Sequence, residues 1–270
     1  METAVLWPSD ISSLLREHRS EWGAPKTSGP KAIESLLDAG LLQIAEFESA
    51  RYGKITRYLR GKPSKFALAL ALRRESFICH HSALEIHKLG ASSNVVYVNQ
   101  EQSSKAPGGD LTQASIRQAF KNKQRQSNYR FSYGEHAYVL ISGKDTGRAG
   151  VTTHKTDNGE LLDVTDLERT LIDIVVRPAY AGGIEKVASI YRSTDNKIKV
   201  DHLLKILEKL DYVYPYQQSL GFLLERAGYP EADLKKLERI RSGFDFFLDY
   251  DVKKPEYDER WHLYYPARLK

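Results

Sequence analysis

Residues 161–187 read LLDVTDLERTLIDIVVRPAYAGGIEKV. Leu161 to Val164 is a short apolar run of strand type, and Thr165 followed three residues later by Glu168 has the spacing of a capping box, so a helix is predicted from Asp166 to about Val176. Leu167, Leu171, Ile174 and Val175 form one stripe on that helix and mark its buried side. Arg177-Pro178 ends it, because proline disfavours helical geometry in the residue before it. Gly182-Gly183 permits a tight corner, and residues 184–191 begin another helix. A strand that feeds a buried helix and is followed by a second helix is a building unit of a mixed α/β domain.

The surrounding sequence extends the pattern in both directions. Downstream, helical periodicity recurs over residues 200–210, 216–227 and 231–241, and the aromatic segments FDFFLDYD and RWHLYYP read as a terminal β element packed on those helices. Tyr250, Tyr257, Trp261, Tyr264 and Tyr265 supply large contact areas there. Upstream, residues 95–98, 138–142 and 150–153 read as strands, and 100–110, rich in Ser, Gly and Pro, as a loop. Residues 63–72 form an apolar helix, 76–79 a short strand, and Ser82 starts another helix.

Near the N-terminus, Ile11, Leu14 and Leu15 predict a helix ending near residues 19–22. Thr27 or Ser28 can cap a second helix, with Pro30 in its first turn and Ile33, Leu36 and Leu37 on its apolar side, ending at Gly40. Residues 41–47 and 54–60 then read as two strands joined by a turn. Helix, turn, helix and basic ribbon is the order of a winged helix-turn-helix. The expected fold is therefore α+β: a winged helix-turn-helix over residues 1–75, then a larger mixed α/β domain over 76–270 with a helical C-terminal part and a possible division near 156–160.

Charge sharpens this expectation. The first 155 residues hold 22 basic and 14 acidic side chains, a balance of +8, whereas the remainder holds 18 and 21, a balance of −3. Lys26, Thr27, Lys31 and Ser35 on the second helix, and Arg51, Lys54, Arg57 and Arg60 on the ribbon, are the expected contacts to double-stranded DNA. Lys121, Lys123 and Arg125 fall in an acid-free stretch suited to further phosphate contacts.

Several classes are excluded by what the chain lacks. Its longest apolar runs fall far short of the roughly 20 residues needed to span a bilayer, and METAVLWPSD does not resemble a secretory signal, so a cytoplasmic location with no membrane partner is expected. The single cysteine, Cys79, lies in an apolar neighbourhood and reads as a core residue. There is no GxxxxGK[ST] loop and no GxSxG elbow. His80, His81 and His87 have no metal-ligand spacing, and neither a metal nor a cofactor is expected. Asp163, Asp166, Glu168, Arg169 and Asp173 are the one constellation that offers catalysis: paired carboxylates can hold a divalent cation or move protons, and such a site would make the chain a nucleic-acid-modifying enzyme. Against this, acids in a first helical turn also favour the helix dipole, and the 166–169 and 169–173 spacings suit ordinary ion pairs.

The string at 161–187 resembles the signature of the AbiEi family, antitoxins and transcriptional regulators of type IV, abortive-infection toxin-antitoxin systems. FICHHSALEIHKLG at 77–90, YVNQEQS at 97–103, LGFLLERAGY at 220–229 and RWHLYYP at 261–267 are similar to the family as well. The resemblance implies a winged N-terminal domain that binds inverted repeats in its own promoter as an autorepressor, and a C-terminal antitoxin domain. The implied partner is a nucleotidyltransferase-like toxin, and the implied role, phage defence, is not enzymatic. By position, the DNA-reading helix matches 28–38 and the wing 48–60; Arg169, Asp173 and Arg177 match polar signature positions that tie strands to helices.

Overall fold

Along β2 (Gln43–Ser49), Ala45 and Phe47 are buried while Glu46 and Glu48 face solvent, the two-residue period of a strand with one face against a core. In the computed structural model, which describes residues 4–11, 13, 17, 20, 29–103 and 110–269, that strand lies in a mixed nine-stranded sheet. β3 (Gly53–Arg60) pairs antiparallel with it from Gln43↔Leu59 to Ser49↔Gly53. β1 (Ala4–Leu6) covers the outer side of β3, and β6 (Arg130–Tyr133) meets β2 at Glu48↔Ser132. The sheet continues through β7 (His136–Gly143), β5 (Val95–Glu101), β4 (Phe77–Ile78), β9 (Leu161–Thr165) and β8 (Val151–Lys155). β5 and β7 are parallel neighbours, as are β4 and β9.

The expected winged helix-turn-helix is not identifiable as a module. Strands β2 and β3, expected to project as a wing, have neighbours on both outer sides, so their backbone groups are used within the larger sheet. The second expected helix is present as α1 (Gly29–Asp38), with Ala32 and Leu36 packed on Leu6, Ile11 and Leu42. Most of the first expected helix, together with Lys26, Thr27 and Ser28, lies outside the described residues. The nine-stranded sheet contains strands from either side of residue 75.

Two short helices pack beside the sheet, and a third joins the C-terminal core. α2 (Lys65–Leu70) is capped by Ser64, whose hydroxyl accepts from the Ala67 amide, and α3 (His80–Ile86) follows β4. α4 (Gln113–Phe120) opens on a reciprocal Thr112–Ser115 capping box. The C-terminal region is helical as expected: α5 (Leu167–Val176), α6 (Ile184–Ser193), α7 (Val200–Leu210), α8 (Tyr216–Arg226) and α9 (Glu231–Arg239). Leu171, Ile190, Leu203, Leu220 and Leu237 join in one core. The terminal aromatic segments form a three-stranded sheet, with β12 (Leu263–Pro266) between β10 (Phe246–Phe247) and β11 (Pro255–Asp258).

The small sheet is fastened to α8 by two buried side chains. Gln218 donates to the carbonyls of Phe244 and Trp261 and accepts from Ser242, which satisfies a polar group that burial would otherwise penalise. Trp261, fully buried, donates its indole N–H to Glu225 at 2.7 Å and lies across Gly221. A Cβ at position 221 would overlap the indole ring. Gly221→Ala is therefore expected to destabilise the protein by about 1–3 kcal/mol through overpacking, read as a lower urea midpoint, whereas an unchanged midpoint would contradict this packing.

Candidate functional site

The turn before α5 sets the site. Gly150, at φ +71°, faces the Arg169 side chain so closely that any Cβ there would collide with it, and its carbonyl accepts from the Asp166 amide at 2.7 Å. Asp166 is the N-cap of α5: its Oδ1 accepts from the Arg169 amide at 2.8 Å. The cap lies one residue beyond the predicted Thr165 position. Thr165, fully buried, instead shares a hydroxyl contact of 2.8 Å with Thr170.

Glu168 is consequently free of the capping role its spacing predicts. Buried in the first turn of α5, it reaches across to α7, where its Oε1 accepts from the Lys199 amide at 2.8 Å. Its other oxygen has no hydrogen bond among the described residues. That reach brings up the start of α7, where the exposed His202 places Nε2 2.9 Å from Asp166 Oδ2. One ligand atom from each of Asp166, Glu168 and His202 lies within 4.8 Å of the others.

Two carboxylates and an imidazole are a donor set for a divalent cation that accepts oxygen and nitrogen together, a class that includes zinc and manganese. Octahedral ligands at about 2.1 Å stand roughly 3.0 Å apart when adjacent and about 4.2 Å apart when opposite. The 2.9 Å approach of His202 to Asp166 is a direct hydrogen bond, which ligation of a cation by both groups would replace.

This cluster overturns the expectation of a non-enzymatic autorepressor and antitoxin. Side chains able to hold a divalent cation at the joint of two helices argue for a catalytic site rather than a purely regulatory role, so the DNA-binding, transcription-regulator, repressor and antitoxin descriptions are withdrawn. It favours the enzymatic alternative, but with different partners from the five residues that the spacing grouped. Asp163 pairs with Arg148 at 2.5 Å, and Asp173 pairs with Arg169 at 2.8 Å with both side chains buried. Asp166 and Glu168 remain, and His202, which the sequence reading passes over, completes the set. Its only sequence signal is its position in the first turn of the helix at 200–210.

The expected DNA contacts are distributed differently from the prediction. Arg57 is corrected from a phosphate contact to a structural group: it is buried, donates to the carbonyls of Ala71, Thr56 and Leu72, and lies 3.6 Å from the centre of the Trp7 ring. Burial, reinforced by Arg74 and Arg73, pushes its guanidinium down to about 10. Lys54 pairs with Glu46 and Glu48 on the sheet surface. Arg60 is half-buried with partners of its own. Lys31 and Ser35 are exposed on α1, and Arg51 is exposed beside Tyr52. Lys121, Lys123 and Arg125 are exposed after α4. Arg169 and Asp173 form the buried tie described above, and Arg177 caps the C-terminus of α5.

The three histidines do not converge. His81 bonds the Ala91 carbonyl and His87 the Thr165 carbonyl, while His80 is buried beside Tyr97 and Tyr180. Cys79 is fully buried and unpaired.

No family model matches the sequence, and no curated protein matches it either. Among solved structures, the Rv2827c protein from Mycobacterium tuberculosis is similar, with a TM-score of 0.55 at 14% identity over 97% of this chain and 86% of that one. That likeness shows a shared fold. Among the described residues no helix is long and apolar enough to cross a membrane.

Burial holds the His80 imidazole at about 3, far below its ordinary value of 6.5, with the charges of Arg177 and Arg169 acting in the same direction. A depressed folded-state value means the unfolded chain takes up the proton first. Folding stability contributed by His80 is thus complete above about pH 6.5 and is lost as pH falls toward 3, by up to about 1.4 kcal/mol per pH unit. NMR titration is expected to show His80 neutral throughout pH 5–8; a midpoint near 6.5 would contradict its burial.

Proposed function

We propose that the protein is a divalent-metal-dependent, nuclease-like enzyme that hydrolyses phosphodiester bonds in nucleic acid. The convergence of Asp166, Glu168 and His202 at the start of α5 and α7 carries the reading. A cation held there would take oxygen from both carboxylates and nitrogen from His202. A divalent ion held by these three residues would acidify a neighbouring water and offset charge that develops on the phosphoryl oxygens.

The protein groups have separate roles in this scheme. Asp166 uses one oxygen to hold the Arg169 amide, which fixes the other toward His202. Glu168 is oriented by the Lys199 amide, a partner that stops the carboxylate from rotating away. The exposed basic groups Lys31, Arg51, Lys121, Lys123 and Arg125 are the groups we assign to hold the polyanionic substrate, an electrostatic attraction that weakens with salt. Kinship with the AbiEi family is supported by the strings at 77–90, 97–103, 161–187, 220–229 and 261–267, and no repressor or antitoxin activity is carried over with it.

Titration of manganese into the metal-free protein is expected to raise Tm and to support cleavage of a labelled nucleic-acid strand. Asp166→Asn keeps a capping oxygen but removes the charge, and Glu168→Gln keeps a carbonyl for the Lys199 amide. Each is expected to reduce cleavage at least about 100-fold, the scale attached to loss of one electrostatic catalytic group, and to abolish the metal-dependent Tm rise. Equal metal-dependent stabilisation in both variants, or no cleavage by the native chain with any divalent ion, would overturn the proposal.

A further inference from the structure

The helix pair that presents the metal ligands at its N-terminal end borders a cavity of about 510 Å³ at its C-terminal end. Asp173, Val176 and Arg177 come from the last turn of α5, and Asp211 and Tyr212 from the exit of α7. The volume is within the range of about 300–1,000 Å³ usual for small-molecule sites. Size alone assigns nothing; the polar atoms in the wall do.

Three of those groups lack partners of the kind their chemistry requires. Asp173 is 4% exposed; its Oδ1 accepts from Arg169, but its Oδ2 is buried with no hydrogen bond. His80, also 4% exposed, leaves Nδ1 unbonded and holds its backbone at φ +52°, a conformation that side-chain-bearing residues rarely adopt. The Arg177 guanidinium forms no ion pair or side-chain hydrogen bond among the described residues. Buried polar atoms are normally satisfied, and local strain next to unsatisfied groups is characteristic of ligand sites.

The unmet valences are specific. Asp173 Oδ2 calls for an N–H or O–H donor. Arg177 calls for an anion, and a planar fork of donors suits phosphate or carboxylate. Tyr212 and Tyr214, with Ile141 and Val176, offer flat and apolar wall between them. Lys144 is already committed: its ammonium donates to the carbonyls of Leu210 and Asp211 and pairs with the Asp211 carboxylate, closing the end of α7. The ligand therefore needs a hydrogen-bond donor, one anionic group and a planar body.

We propose that this cavity binds a mononucleotide, with a base N–H donated to Asp173 Oδ2, the base against Tyr212 and Tyr214, and the phosphate paired with Arg177. The inference rests on the cavity atoms and stands independently of the metal reading. The metal centre and the nucleotide site then occupy opposite ends of one helix pair. A bound nucleotide at the α5–α7 exits would bias the same two helices whose starts carry Asp166, Glu168 and His202.

The test is calorimetric titration of the full chain in the presence of EDTA, which removes metal from the comparison. The probes are the four ribonucleoside monophosphates, the matching nucleosides and inorganic phosphate. At least one monophosphate is expected to bind about tenfold or more tightly than its nucleoside and than phosphate, the increment of one well-formed charged contact. Arg177→Ala, on a half-buried side chain, is expected to weaken that binding by a similar factor. Because Asp173→Asn strands Arg169 and can unfold the chain, Val213→Glu serves as the second variant. Val213 is 48% exposed at the cavity wall, and a carboxylate there would repel the phosphate without entering the core. Retained Tm with weakened binding in both variants supports the site. Absence of monophosphate binding at millimolar concentration, phosphate binding as tightly as the nucleotides, or unchanged affinity in both variants would overturn it.

Discussion

A guanidinium that is 2% exposed has to find its acceptors inside the protein, and the way Arg169 finds them orients the rest of the C-terminal region. It donates to Asp173 at 2.8 Å along its own helix and to the Ala149 carbonyl at 2.6 Å in the turn before β8. Both ends of α5 follow from that anchorage. At the start, the glycine turn receives Asp166 and aims it toward α7; at the end, Asp173 and Arg177 line the cavity. Breaking such a buried pair from one side costs about 3–5 kcal/mol, because the remaining charge is left without a partner. Burial pushes the Asp173 carboxyl above its usual range while Arg169 opposes that shift. The pair is therefore sustained by geometry and by the carbonyls around it rather than by charge alone.

The two chemically informative regions share one physical origin. α5 is enclosed on nearly all sides, yet Glu168, Arg169, Thr170 and Asp173 are all polar. Each must be satisfied by its surroundings, so the helix draws on the Ala149 carbonyl ahead of β8, the Thr165 carbonyl at the end of β9 and the Lys199 amide ahead of α7. A helix buried with this much polar content is positioned tightly. The same satisfaction leaves only a few valences open, those of Glu168 toward His202 and of Asp173 toward the cavity.

Much of this was legible in local spacing. The helix after Val164, the helix at Val200–Leu210 and the aromatic strands near the C-terminus follow from periodicity, capping residues and proline. The pairing of β1 with β3 was not legible, because a three-residue strand carries almost no periodic signal. The ribbon at 43–60 illustrates a deeper limit. Its alternation correctly gives two strands, but alternation cannot reveal that β1 and β6 occupy its flanks, and this is what removes the wing. Formal charge misleads for a related reason: Arg57 counts toward a basic surface in sequence but is consumed by three backbone carbonyls in the fold. His202 lies 36 residues from Asp166, a separation at which only packing, not spacing, can join two side chains.

The central claim is that Asp166, Glu168 and His202 close on one cation. Anomalous diffraction from crystals soaked in manganese tests it most directly. The account predicts a single strong peak bonded to Asp166 Oδ2, Glu168 Oε2 and His202 Nε2 at about 2.1–2.3 Å, the range for such ligands. No peak among those atoms at saturating manganese, with His202 still hydrogen-bonded to Asp166, would contradict it.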